Sequence, residues 1–142
     1  MISVKTSHFY LQVIKELHYP FGNVYVFNGF LVSEINEGVI FSWDEHGKRV
    51  AEDVSCYLGT LGDNLIYISN RIHSYSVVAS DWKKYYQNYK NLRGYYVVEE
   101  KKQGALNSLV ESLFFNGNIK RFNSLEEAFN FTQFSLLNQL GA

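Results

Sequence analysis

The pattern of apolar and polar positions changes character about one third of the way along the chain. The first part reads as strands. Phe9 to Leu17 is mostly apolar or alternating, and Tyr19-Pro20-Phe21-Gly22 interrupts it. Two runs follow, Val24-Tyr25-Val26-Phe27 and Phe30-Leu31-Val32-Ser33-Glu34-Ile35, with Asn28-Gly29 between them. Asn-Gly between two β-rich runs is the strongest short hairpin signal, because both residues tolerate positive φ. Asn36-Glu37-Gly38 closes this part.

Beyond it, helical and extended patterns alternate. Ser42-Trp43-Asp44-Glu45 is a capping box, with a serine hydroxyl for the free amides and a carboxylate reaching back three residues later. Trp43, Val50, Val54 and Leu58 then recur at helical spacing up to Gly59. Leu65-Ile66-Tyr67-Ile68-Ser69 is a short apolar run of the kind buried on both faces of a parallel sheet. Ser80-Asp81 opens a second helix, whose Trp82, Tyr85, Tyr86 and Tyr89 form an aromatic stripe that reads as core. Gly94 to Val98 is a further buried-type strand. A third helix carries Leu106, Leu109, Val110, Leu113 and Phe114 and stops near Gly117. Ile119 to Phe122 is a brief strand, and a second capping box, Ser124 to Glu127, opens the last helix.

The order βββ-αβ-αβ-αβ-α predicts a single α/β domain over residues 1–142: a mixed β-sheet with an N-terminal β-hairpin, followed by βα repeats with helices packed on the sheet. Leu65 to Ser69 and Tyr95 to Val98 are the expected central parallel strands, with Ile66 and Val97 buried. Val50/Val54, Trp82/Tyr86, Leu109/Leu113 and Ala128/Phe129 are the expected helix contributions to the core.

Composition narrows the function classes. The chain is 46% hydrophobic and 19% charged, which is globular, and its formal net charge is −1. The basic pairs lie apart among acids, so no nucleic-acid partner is expected. Cys56 is the single cysteine; no internal disulfide can form, and its place near a helix end predicts a half-buried, inert thiol. No signal peptide opens the chain, and no apolar run approaches the ~20 residues of a membrane span. The expectation is therefore a cytoplasmic protein with no membrane insertion. The aromatic surplus and the exposed edge of a short mixed sheet point to a homodimer.

Catalytic signatures are missing. There is no GxGxxG, no GxxxxGK[ST] and no GxSxG, so no cofactor is expected. His8, His18, His46 and His73 stand apart without metal-ligand spacing. Asp44 and Glu45 occupy a first helical turn, where the helix dipole accounts for them, and His46 beside them reads as a surface residue. The chemistry concentrates instead in the loop after the Leu65–Ser69 strand. Ligands and partners of open α/β folds gather at the carboxyl ends of the strands. This loop offers Asn70, the guanidinium of Arg71, the imidazole of His73, and the hydroxyls of Ser74, Tyr75 and Ser76, with no acid. Such a set suits a carboxylate or phosphate on a partner.

Three stretches carry a family likeness: Ile66 to Ser76, Ile35-Asn36-Glu37-Gly38 upstream, and Lys120 to Ala128 downstream. Over roughly residues 20 to 135 the chain resembles small bacterial proteins of the STAS-like superfamily, which share the fold of anti-sigma-factor antagonists such as stage II sporulation protein AA. The resemblance implies a mixed sheet with helices packed on it. It also implies a non-enzymatic role, because STAS domains mostly bind protein partners; the partner-binding residues expected here of such a binding or regulatory module, from the loop's place and chemistry, are Asn70, Arg71, His73, Ser74, Tyr75 and Ser76. The signalling members phosphorylate a serine in an Asp-Ser-(Ser/Thr)-Gly motif, and Ser74 falls nearest that place, although neither the Asp nor the Gly is present here. Related lipid-binding domains are longer and hold a large apolar cavity, for which 142 residues leave little room. The alternatives are a small enzyme built on His73 with Ser74 or Ser76, or a small-ligand or lipid-binding domain, both using the loop at 70–76.

Overall fold

A computed structural model describes residues 1–100 and 105–141. Strands β1 (Lys15–Tyr19), β2 (Gly22–Phe27) and β3 (Phe30–Ile35) form an antiparallel meander. Pro20-Phe21 makes the first turn, and the Asn28-Gly29 signal makes the second, with Phe27 opposite Phe30. The first strand starts six residues later than its apolar pattern suggests. His8–Gln12 is a 3-10 helix, because the Ser7 hydroxyl takes the Phe9 N–H and competes with extended pairing. Phe9 is apolar for another reason: it stacks on Phe129 at 3.9 Å.

A two-residue strand β4 (Ile40–Phe41) leads into α1 (Lys48–Leu58). Then come β5 (Ile66–Asn70), a short β6 (Ser76–Val77), α2 (Trp82–Tyr85), β7 (Gly94–Val98), α3 (Ala105–Ser112), β8 (Ile119–Phe122) and α4 (Leu125–Gly141). The main sheet has the order β1-β2-β3-β5-β7-β8, and β3, β5, β7 and β8 run parallel. The expected mixed sheet is present, with β5 and β7 as interior parallel strands and Ile66 and Val97 fully buried. β4 and β6 pair separately as a two-stranded parallel ribbon.

Alternation along the strands divides the apolar residues between two faces. On one, Tyr25, Phe27, Val32, Ile66, Ile68 and Tyr96 pack against Val4, Phe9 and the Leu125, Ala128 and Phe129 face of α4. On the other, Val24, Val26, Leu31 and Ile35 meet Val54 of α1, and Tyr95 and Val97 meet Trp82 of α2 and Phe115. Parallel neighbours joined in sequence by right-handed crossovers place their connecting helices on one side. The buried Glu34 ties down the N-terminus from the first face: it accepts from Ser3 Oγ at 2.6 Å, Val4 N at 2.8 Å and Asn70 Nδ2 at 2.9 Å.

Several local expectations need correction. The first capping box is half formed. Ser42 Oγ accepts from Glu45 N at 3.3 Å, but the Ser42 N–H donates to His46 Nδ1 at 3.0 Å rather than to a carboxylate. A π-helical turn, Trp43–Gly47, precedes α1, and its His46 is half-buried rather than fully at the surface, with its ring stacked on Phe41. Cys56 is exposed rather than half-buried. Asp81 does not cap its own helix; its carboxylate takes the Trp43 N–H at 2.7 Å instead.

The largest correction concerns α3. Leu109 and Leu113, expected in the core, are 64% and 77% exposed, and Val110 is 42% exposed. The helix turns its other side inward, where Glu111 is fully buried, and Phe115, three residues past its end, is nearly so. The side chain of Leu106 lies outside the described residues. Among the described residues no helix is long and apolar enough to cross a membrane.

Candidate functional site

The loop after β5 lies at the carboxyl end of the parallel strands, as its position in the chain implies. Main-chain bonds hold it: Arg71 N–H to Val98 O at 2.8 Å, Gly38 N–H to Ser74 O at 2.9 Å and Ser76 N–H to Val39 O at 3.0 Å. Its side chains part company. His73, Ser74 and Ser76 are exposed, while Asn70, Arg71 and Tyr75 are buried. Asn70 turns to the N-terminal face, donating to Ile2 O at 3.0 Å as well as to Glu34. Arg71 is therefore no surface cation free to grip a partner's oxyanion or a phosphate on Ser74.

Arg71 instead organises the opposite face of the sheet. Its Nη2 donates to Glu111 Oε2 at 2.7 Å and to Tyr95 Oη at 2.9 Å, and its Nε donates to Ser69 Oγ at 3.1 Å. Glu111 Oε1 also accepts from Tyr95 Oη at 2.8 Å and from Trp82 Nε1 at 3.2 Å. A buried carboxylate is tolerable only when paired and hydrogen-bonded in this way. The network extends through the Ser69–Tyr75 hydroxyl pair at 2.7 Å; nearby, Ser33 and Tyr67 form a second such pair at the same distance. One polar atom of this cluster, Arg71 Nη1, is buried without a partner.

Register explains why these groups meet. Leu31, Tyr67 and Tyr95 lie side by side across β3, β5 and β7, and Ser33, Ser69 and Val97 form the next row on the same face. The Tyr67 and Tyr95 rings stack at 5.1 Å. Burial raises the pKa of the Tyr67 phenol above its ordinary value, and Tyr95 is raised too, by burial and then by Glu111. Both stay protonated, and Tyr95 donates to Glu111.

Above that row, between the sheet and helices α1 and α2, lies a cavity of about 120 Å³. Its floor includes Leu31, Tyr67 and Tyr95, and Val50 and Val54 of α1 form one wall. The β4–β6 ribbon closes one end with Phe41 and Val77, and Trp43, Trp82 and Tyr85 form the other side. The aromatic stripe expected to be core is core in part, with Tyr85 buried and Trp82 and Tyr86 packed on Tyr95, Val97 and Phe115, while Trp82, Tyr85 and Tyr89 also line this space. A shallow surface depression at the end of α1 adjoins the cavity and shares Ser55, Thr60, Leu61 and Tyr89 with it. Gly62 sits there at φ +110°, where a Cβ would collide with the Tyr85 hydroxyl. That hydroxyl donates to Lys90 O at 2.8 Å and fixes the ring in the wall.

Of the residues the loop pattern singled out, the cavity wall includes only Tyr75. Glu111, Asp81, Trp82 and Tyr95 were not singled out as site residues. Arg71, a cation directly after a buried strand in a loop with no acid, calls for a distant carboxylate, but nothing in the chain distinguishes Glu111 from the other acids. Among the described residues no three His, Cys, Asp or Glu side chains cluster to hold a metal. No protein family, curated protein or solved structure matches the chain.

Proposed function

We propose that this chain is a non-enzymatic binding module whose ligand is a small, largely apolar molecule held in the cavity between α1, α2 and the sheet. The observation that carries this reading is the cavity itself: about 120 Å³, walled by aromatic and aliphatic side chains, and adjoining the surface depression at Thr60 and Leu61. An apolar cavity of about 150 Å³ in a protein core stays dry and takes up benzene. A space of this size therefore suits one ring, not an acyl chain. The buried acid of the wall supports binding over catalysis, because Glu111 already accepts three structural donors.

Toluene titrated into the protein tests this. The melting temperature rises with toluene concentration, since a ligand that binds only the folded state stabilises it. The cavity-filling Val54→Phe variant, confirmed folded by circular dichroism, loses the response. No rise in the wild type, or an equal rise in both proteins, contradicts the proposal.

A protein partner at the exposed His73, Ser74 and Ser76 is the second reading, the one implied by the STAS-like resemblance. The main-chain bonds that fix this loop against residues 38–41 favour it, because a rigid display loses less entropy on docking.

A further inference from the structure

Resting on the reading of the cavity as a binding site, we propose that its ligand is a small arylalkylamine, a single aromatic ring carrying an alkylamine whose protonated amino group lies against Asp81. The charge on the wall has one sign. Asp81 and Glu111 line the cavity, and no Lys, Arg or His does so among the described residues. Glu111 is neutralised by Arg71 at 2.7 Å. Asp81 is not neutralised to the same degree. Its Oδ2 accepts the Trp43 N–H, while among the described residues Oδ1 has only Lys84, at 3.7 Å. Lys84 hydrogen-bonds to Asp44 at 3.0 Å instead. Two carboxylates thus share one ammonium. Asp44 is 73% exposed and well solvated, whereas Asp81 is 16% exposed, so the deficit of positive charge falls on the cavity side.

The rings beside Asp81 have the same preference. Trp43 and Trp82 approach Tyr85 with centroids 5.9 and 5.4 Å apart, and all three line the cavity. Aromatic faces are electron-rich and attract a desolvated cation. A ring fills the apolar part of the space, and an ammonium at the Asp81 end completes the ion pair. An anion of the same size meets a carboxylate and ring faces, and among the described residues no Lys, Arg or His lines the cavity to offset them.

Calorimetric titration of the full chain near neutral pH with benzylamine, toluene and benzoate separates these cases. Asp81→Asn removes the charge but keeps an oxygen for the Trp43 N–H. The wild type is expected to bind benzylamine about tenfold tighter than toluene, the worth of one charge-assisted hydrogen bond. Benzoate is expected to show no binding. In Asp81→Asn the benzylamine advantage is lost while toluene binds as before. Benzylamine no tighter than toluene, benzoate as tight as benzylamine, or a preference that survives Asp81→Asn overturns the inference and leaves the cavity reading standing. If toluene and benzylamine both fail to bind the wild type, the cavity reading falls and the inference falls with it.

Discussion

Arg71 and Glu111, forty residues apart in the chain, meet at 2.7 Å in the interior, where their side chains are 5% and 1% exposed. This contact latches α3 to the carboxyl end of β5. It also sets the polar edge of the cavity, since Glu111 holds Trp82 and Tyr95 at the same time. Removing one partner of a buried pair leaves the other charged and unpaired, which costs about 3–5 kcal/mol. Glu111→Ala should lose that much stability in urea unfolding. The double variant Arg71→Met with Glu111→Leu should recover most of it, because well-packed apolar residues often replace a buried pair at no net loss. A Glu111→Ala variant as stable as the wild type would show that the pair does not hold α3.

The inverted orientation of α3 makes a second prediction. Leu113→Ala and Leu109→Ala should each change stability by no more than about 0.5 kcal/mol, as exposed positions do. Ile66→Ala, in the fully buried strand β5, should cost about 2–5 kcal/mol. Urea melts of the three variants check this. A Leu113→Ala loss comparable to that of Ile66→Ala would mean that α3 packs its leucines inward after all.

How the sequence misled at α3 is instructive. Leu109, Val110 and Leu113 have the spacing of a core-facing stripe, and periodicity alone places such a stripe inside. It cannot weigh that against the need of a buried arginine for a carboxylate. The alternating strands were legible because period two is enforced on both faces, as Tyr95 and Tyr96 show by pointing to opposite sides. The loop was legible as a position, but not as an orientation. Asn70 and Arg71 looked like displayed polar groups, and the partners that draw them inward, Glu34 and Glu111, come from other elements. The cavity left no local mark, because it depends on how α1, α2 and the ribbon are spaced above the sheet.

Alkaline pH gives a third prediction. The phenols of Tyr67, Tyr85 and Tyr95 are raised above the ordinary value of 10.0, in each case first by burial. In the unfolded chain they return to that value. The folded state therefore holds these protons more tightly. Its advantage is fully present below pH 10.0 and is lost as pH rises through the window between the unfolded and folded values. Tyrosinate absorbance for this group should appear together with the loss of the circular dichroism signal of the sheet and helices. Ionisation of all the tyrosines while the fold persists would contradict the burial of these three.

The central claim is that the space above Leu31, Tyr67 and Tyr95 is an apolar site open to small molecules. A crystal of the protein pressurised with xenon tests it most directly, because xenon enters dry apolar cavities and reports its position by anomalous scattering. The account predicts a xenon atom among Val54, Tyr67 and Tyr85. Ordered waters filling that space, or no xenon there while other sites take it up, would contradict the account.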